Sequence, residues 1–138
     1  MIRRMARNAR RDRGAAAVEF ALLLPMLLLL VFGLIDFGRA LNAQITLTQA
    51  AREGARLAAL AQPNVASRTQ AAATGLSPVT VGVTACPANA GSGVNAAVTA
   101  SYSYQFITPI SAIAGLFGGS GFGSSISLSA SGVMPCET

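Results

Sequence analysis

The chain has 138 residues, 52% hydrophobic and only 11% charged, with ten basic residues (all arginine) against five acids. That is room for one small domain, too little to bury a large core alone. With no histidine or lysine and the acids far apart, the composition excludes a catalytic dyad or a metal site.

Six of the arginines (Arg3, Arg4, Arg7, Arg10, Arg11 and Arg13) fall in the first fourteen residues, with Asp12 the one acid among them. The remainder carries four arginines and four acids and is formally neutral. The cluster therefore reads as an orientation signal and not as a nucleic-acid arm. Arginine-rich flanks stay cytoplasmic, so residues beyond the apolar run face outward.

That run extends from Ala15 to Ile35, 21 residues in which Glu19 is the only charge. It is long enough to span a bilayer. A carboxylate at mid-span costs roughly 2.5–3.5 kcal/mol, less near the interface, and normally marks a functional pairing. Gly14 stands just ahead of Ala15. Cleavage between them would leave an α-amino group, of pKa about 8, four residues from Glu19 as its natural partner. An ordinary secretory signal fits less well. Its apolar core runs about 7–15 residues and ends at a small-residue site, whereas the best such site here, Gly38-Arg39-Ala40, holds an arginine. Arginine pairs such as Arg3-Arg4 are expected by chance in so basic a leader.

From Asp36 to Ala61 there is no proline, and the composition favours helix. Leu34, Phe37, Leu41 and Ile45 follow the spacing of one helical face, and Gln62-Pro63 ends the run. One helix over 15–61, of about 47 residues and about 70 Å, is expected, kinked or compensated at Pro25. Its outward half has small residues four apart (Ala50, Gly54, Ala58; Ala51, Ala55, Ala59). Gly33, Gly38 and Gly54 suggest close approach of another backbone, from this chain's sheet or from another subunit; a helix merely rich in alanine is the plainer alternative.

A short helix is expected from Val65 to Thr74, stopped by Gly75. Period-two alternation then predicts three half-buried strands: Val79, Val81 and Val83; Val98 to Phe106; Ile126, Leu128 and Ala130. The outward half of the long helix is the natural cover for their apolar face. Between the last two strands lie an apolar piece, Ile110 to Phe117, and a Gly/Ser tract, Gly118 to Ser125, expected to be a loop that either meets a partner or is solvated filler.

Cys86 and Cys136 both fall on the outward side, where disulfides persist. A bridge is expected; two buried thiols are the alternative. It would contribute about 4 kcal/mol by the chain-entropy estimate. In a three-stranded meander the two strand ends would stand nearly 10 Å apart, beyond the roughly 7 Å limit between Cα atoms. Either the cysteines curl over the edge from loops, or strands one and three are neighbours.

Gly14, Glu19 and Phe20, the step Phe37-Gly38-Arg39, and Ala51-Arg52-Glu53-Gly54-Ala55-Arg56 together resemble the TadE-like family, pseudopilins of tight-adherence (Tad/Flp) systems in the type IV pilin class. The likeness is close from Arg13 to Ala59 and only in layout beyond. It implies an α+β, pilin-like fold. The long N-terminal transmembrane helix continues into a small extracytoplasmic three-stranded sheet domain. The divisions are a basic leader 1–14, a long helix 15–61 (span 15–35, outward half 36–61) and a β-rich domain 62–138. It also implies processing at Gly14, Ala15, Glu19 and Phe20 by a prepilin peptidase, and assembly through Glu19, Arg39, Arg52, Glu53, Gly54 and Arg56. Expected partners are the membrane, that peptidase, other pilin or pseudopilin subunits and Tad inner-membrane assembly proteins. Neither a cofactor, nor a nucleic acid, nor a small-molecule substrate is expected.

The residues themselves leave rival readings. Arg52, Glu53 and Arg56 are also plain one-turn neighbours on an exposed helix. Arg39 could anchor at headgroups, with Asp36 as its partner. No serine has a general base beside it, and Gly118-Gly119-Ser120-Gly121 is not at a strand-to-helix turn where a phosphate loop would sit. Enzymatic activity is not expected. The expectation is a single-pass cell-membrane protein, N-terminus cytoplasmic, cleaved and built into a pilus or secretion apparatus; an uncleaved bitopic protein with a partner-binding outer domain is the alternative.

Overall fold

The computed structural model describes residues 2–89, 91, 93–109, 112, 115, 118 and 125–136, with side chains from Gly14 onward. The leader side chains, nearly all of the apolar piece and Gly/Ser tract between 110 and 125, and Glu137 lie outside the described residues. The elements are α1 (Ile2–Ala59), α2 (Val65–Ala72), β1 (Val79–Thr84), β2 (Asn95–Tyr104) and β3 (Ile126–Pro135). They fall into two compact units: Met1–Asp36 with Ile107–Gly123, and Phe37–Phe106 with Ser124–Thr138.

The fold is α+β, a long apolar helix followed by a three-stranded antiparallel sheet. Helix α1 has 58 residues and runs through Pro25. It begins in the leader instead of at Ala15, because Ile2 to Arg13 contains neither proline nor glycine and is mostly Arg, Ala and Met, good helix formers. It stops at Ala59, two residues before the expected Ala61. There the chain closes a C-cap: the Gln62 N–H donates to the Leu57 carbonyl (2.9 Å) and the Ala61 N–H to that of Ala58 (3.2 Å). Ala61 takes the left-handed conformation, φ 50°, that such a cap requires. Helix α2 likewise ends at Ala72, before Thr74, and Gly75 (φ 79°) makes the turn that follows.

The sheet order is β1-β2-β3. Val79 pairs with Tyr102 and Thr84 with Ala97; Asn95 pairs with Pro135 and Tyr104 with Ile126. β2 therefore overshoots β1 at its N-terminal end. It begins at Asn95 and not at Val98, because β3 extends to Pro135 to pair with it.

The core of the second unit is where α1 meets the sheet, and it is built from small side chains. Ala40, Ala43, Leu47, Ala50, Ala51, Ala55 and Ala58 are buried on the helix, at the spacing of one face. Opposite them lie Val79 on β1, Ala96, Val98, Ala100 and Tyr104 on β2, and Ala130 on β3. The apolar face expected from Leu34, Phe37, Leu41 and Ile45 is a different one, and it is exposed (71%, 64%, 50% and 57%). Small residues take the inner face because they let the helix backbone approach the strands closely. A Cβ added to Gly132 of β3 would collide with the Ala51 carbonyl. One added to Gly54 would strike the Thr69 hydroxyl and stand 3.0 Å from Val98. At Gly54 the close neighbours are thus side chains of this chain and not another backbone, and nothing stands within 4 Å of a Cβ at Gly33 or Gly38.

Candidate functional site

Gly14 to Phe20 lie on uninterrupted helix with every side chain exposed, Glu19 among them. Glu19 is therefore presented on the outside of the helix, in a stretch from Gly14 to Ile35 where none of the residues is fully buried. The stretch Gly14–Ala59 is long and apolar enough to cross a membrane.

Asp36, the first residue after the expected span, is only 1% exposed. Its carboxylate accepts from the Ile107 N–H (3.4 Å), the Thr108 N–H (3.3 Å) and the Thr108 hydroxyl. These donors satisfy much of what a buried carboxylate needs. Sequence reasoning missed this role. Two of the three donors are backbone groups about seventy residues away, and no residue type announces them.

In the second unit, Arg39 places its guanidinium carbon 5.9 Å from the ring centroid of Tyr104. Tyr104 is buried and stands edge-on to Phe106, centroids 5.6 Å apart at 87°. A cation over an aromatic face is attractive, so Arg39 bears on the end of β2. The pairing of Arg with Tyr had no spacing signal in the sequence.

Arg52, Glu53 and Arg56 lie on an exposed flank of α1. Arg56 and Glu53 approach to 4.0 Å with side chains 66% and 48% exposed. Such a pair contributes at most about 0.5 kcal/mol to stability. Gly54, between them in sequence, faces inward beneath Thr69 and Val98. The structure thus separates the residues expected to act together: three charges point out and the glycine is taken up by the core.

Cys86 and Cys136 are bridged, Cα atoms 5.8 Å apart, although the sheet is a meander. The first of the two open alternatives holds. Cys86 lies beyond the last β1–β2 pair, Thr84 with Ala97, where the chain has left the strand. Cys136 follows the end of β3, its N–H donating to the Val94 carbonyl (2.9 Å). Both sulfurs pack on the cluster of Ala55, Ala58, Ala59, Ala96 and Val98. Among the described residues no group of three His, Cys, Asp or Glu could hold a metal.

One apolar helix near the N-terminus, followed by a small disulfide-closed antiparallel sheet, is consistent with a single-pass membrane protein. The family model described as TadE-like protein matches residues 14–56, and this N-terminal region is TadE-like. The match covers the helix from Gly14 onward and none of the sheet. Comparison with curated proteins and with solved structures returns no match.

Proposed function

We propose that the chain is a minor pilin or pseudopilin of a Tad/Flp-type pilus or secretion apparatus. A prepilin peptidase cuts it between Gly14 and Ala15, and the mature chain assembles through its long helix and has no catalytic role. The observation that carries this reading is the TadE-like match, which begins at Gly14 and takes in Glu19 at the fifth position of the mature chain. The exposure of Glu19 on the apolar stretch of the helix supports it, since a carboxylate in a low-dielectric bundle needs an opposite charge. The α-amino group of a neighbouring subunit's Ala15 supplies one. Exposed Arg52, Glu53 and Arg56 are then available for contacts between subunits.

The N-terminal basic cluster sets the orientation, leader inside and sheet outside, and the disulfide suits that outer compartment. The test is intact mass spectrometry of protein extracted from membranes that contain an active prepilin peptidase. Ala15 is expected as the first residue. Full-length chain in such membranes would leave the uncleaved bitopic protein, with a partner-binding outer domain, as the reading.

A further inference from the structure

Residues 107–109 combine four properties that meet at one place. They join the outer end of the apolar helix through Asp36, which accepts both the Ile107 and the Thr108 N–H. Pro109 has no N–H to satisfy, so three consecutive non-helical residues present no unpaired backbone donor. Ile107 nevertheless turns its side chain outward, 71% exposed. And no charged residue occurs anywhere from Thr69 to Cys136.

Non-helical backbone is expelled from lipid because its polar groups go unsatisfied, and an exposed isoleucine in water gains nothing. A segment with its donors satisfied, its apolar side chain outward and its attachment at the last turn of a membrane span is suited to the boundary between headgroups and acyl chains. Asp36 itself is tolerable there, since a carboxylate costs least near the interface and this one is supplied with hydrogen bonds.

We propose that Ile107–Pro109, held by Asp36, is a second membrane-contact site, seated on the lipid surface where the span emerges. The occupant is lipid and not another subunit, because the site is bonded to Asp36 at the outer end of the apolar run, in the same compact unit, where Leu34 is equally exposed. This rests on the membrane-spanning reading given above. Its role is to fix how the chain sits against the bilayer before any fibre is built.

The chain has no tryptophan, so single-tryptophan variants report depth directly. Ile107→Trp, Leu23→Trp and Thr80→Trp in the full chain are reconstituted, diluted to monomers, in phosphatidylethanolamine/phosphatidylglycerol vesicles. Quenching by spin-labelled lipids and by aqueous iodide is then read. Ile107→Trp is expected to emit blue-shifted light, to be quenched best by a shallow lipid label and to lose iodide quenching. Leu23→Trp should respond to deep labels and Thr80→Trp to iodide alone. Adding Asp36→Asn, or the milder Thr108→Val, should return position 107 towards iodide. Iodide quenching of Ile107→Trp equal to that of Thr80→Trp, with Leu23→Trp still quenched by lipid, overturns the contact site alone. Loss of lipid quenching at both 23 and 107 overturns the spanning reading with it. Shielding of position 107 from both quenchers means a protein occupant and also overturns the proposal.

Discussion

Gly132 of β3 and Ala51 of α1 touch backbone to backbone, with the Ala51 carbonyl standing where a side chain at 132 would begin. Helix and sheet are closer here than any side chain at 132 would allow.

Gly132→Ala therefore has to push strand from helix, and overpacking of this kind costs about 1–3 kcal/mol or more. Gly38→Ala, where nothing stands within 4 Å, should instead leave stability equal or raise it by up to about 1 kcal/mol through helix propensity. Urea unfolding in detergent, followed by circular dichroism, should lower the midpoint of Gly132→Ala and leave that of Gly38→Ala equal or raised. Equal midpoints would show that the contact is relaxed at no cost.

Ala61 holds a left-handed φ in the α1 C-cap, a conformation that costs a residue with a Cβ roughly 1–2 kcal/mol. Ala61→Gly is expected to stabilise the unit by about 0.5–1 kcal/mol once the extra freedom of glycine in the unfolded chain is subtracted. A thermal melt checks this; a lower Tm would mean that Ala61 packs usefully where the cap suggests only strain.

The disulfide spans a sequence separation of 50 and clamps a core made mostly of alanine. Replacing both cysteines with alanine should cost about 4 kcal/mol and lower the Tm of the sheet by more than about 10 °C. Peptide mapping without reductant should recover the peptides of Cys86 and Cys136 linked.

Glu19→Ala should insert normally, since it removes a cost at shallow depth, and should keep its disulfide. It should fail to crosslink into pilus complexes. Normal co-assembly would reduce Glu19 to a recognition mark for the peptidase.

Much of this was legible in the sequence. The apolar run, the alternation of the three strands and the α+β layout follow from periodicities that the structure repeats. The inner face of α1 was not, because hydrophobicity singles out Phe37, Leu41 and Ile45, while close approach to the strands selects Ala43, Ala50 and Ala51. The cysteine geometry was half legible: an in-register meander keeps strand ends apart, but the overshoot of β2 past Thr84 depends on pairing lengths that no local pattern encodes. The bonds that Asp36 accepts from Ile107 and Thr108 were not legible, because two of the three donors are backbone groups distant in sequence.

A seat made of alanines also governs how the protein can drift over generations. At an ordinary core position one aliphatic residue replaces another with modest loss, so hydrophobicity is what selection guards. At Ala50, Ala51 and Ala55 smallness is guarded, and leucine there is a worse choice than serine. Exposed Leu41 inverts the rule. A saturation scan scored for folded protein should therefore rank substitutions on the inner face by volume and on the outer face by polarity, two unlike alphabets written along one helix.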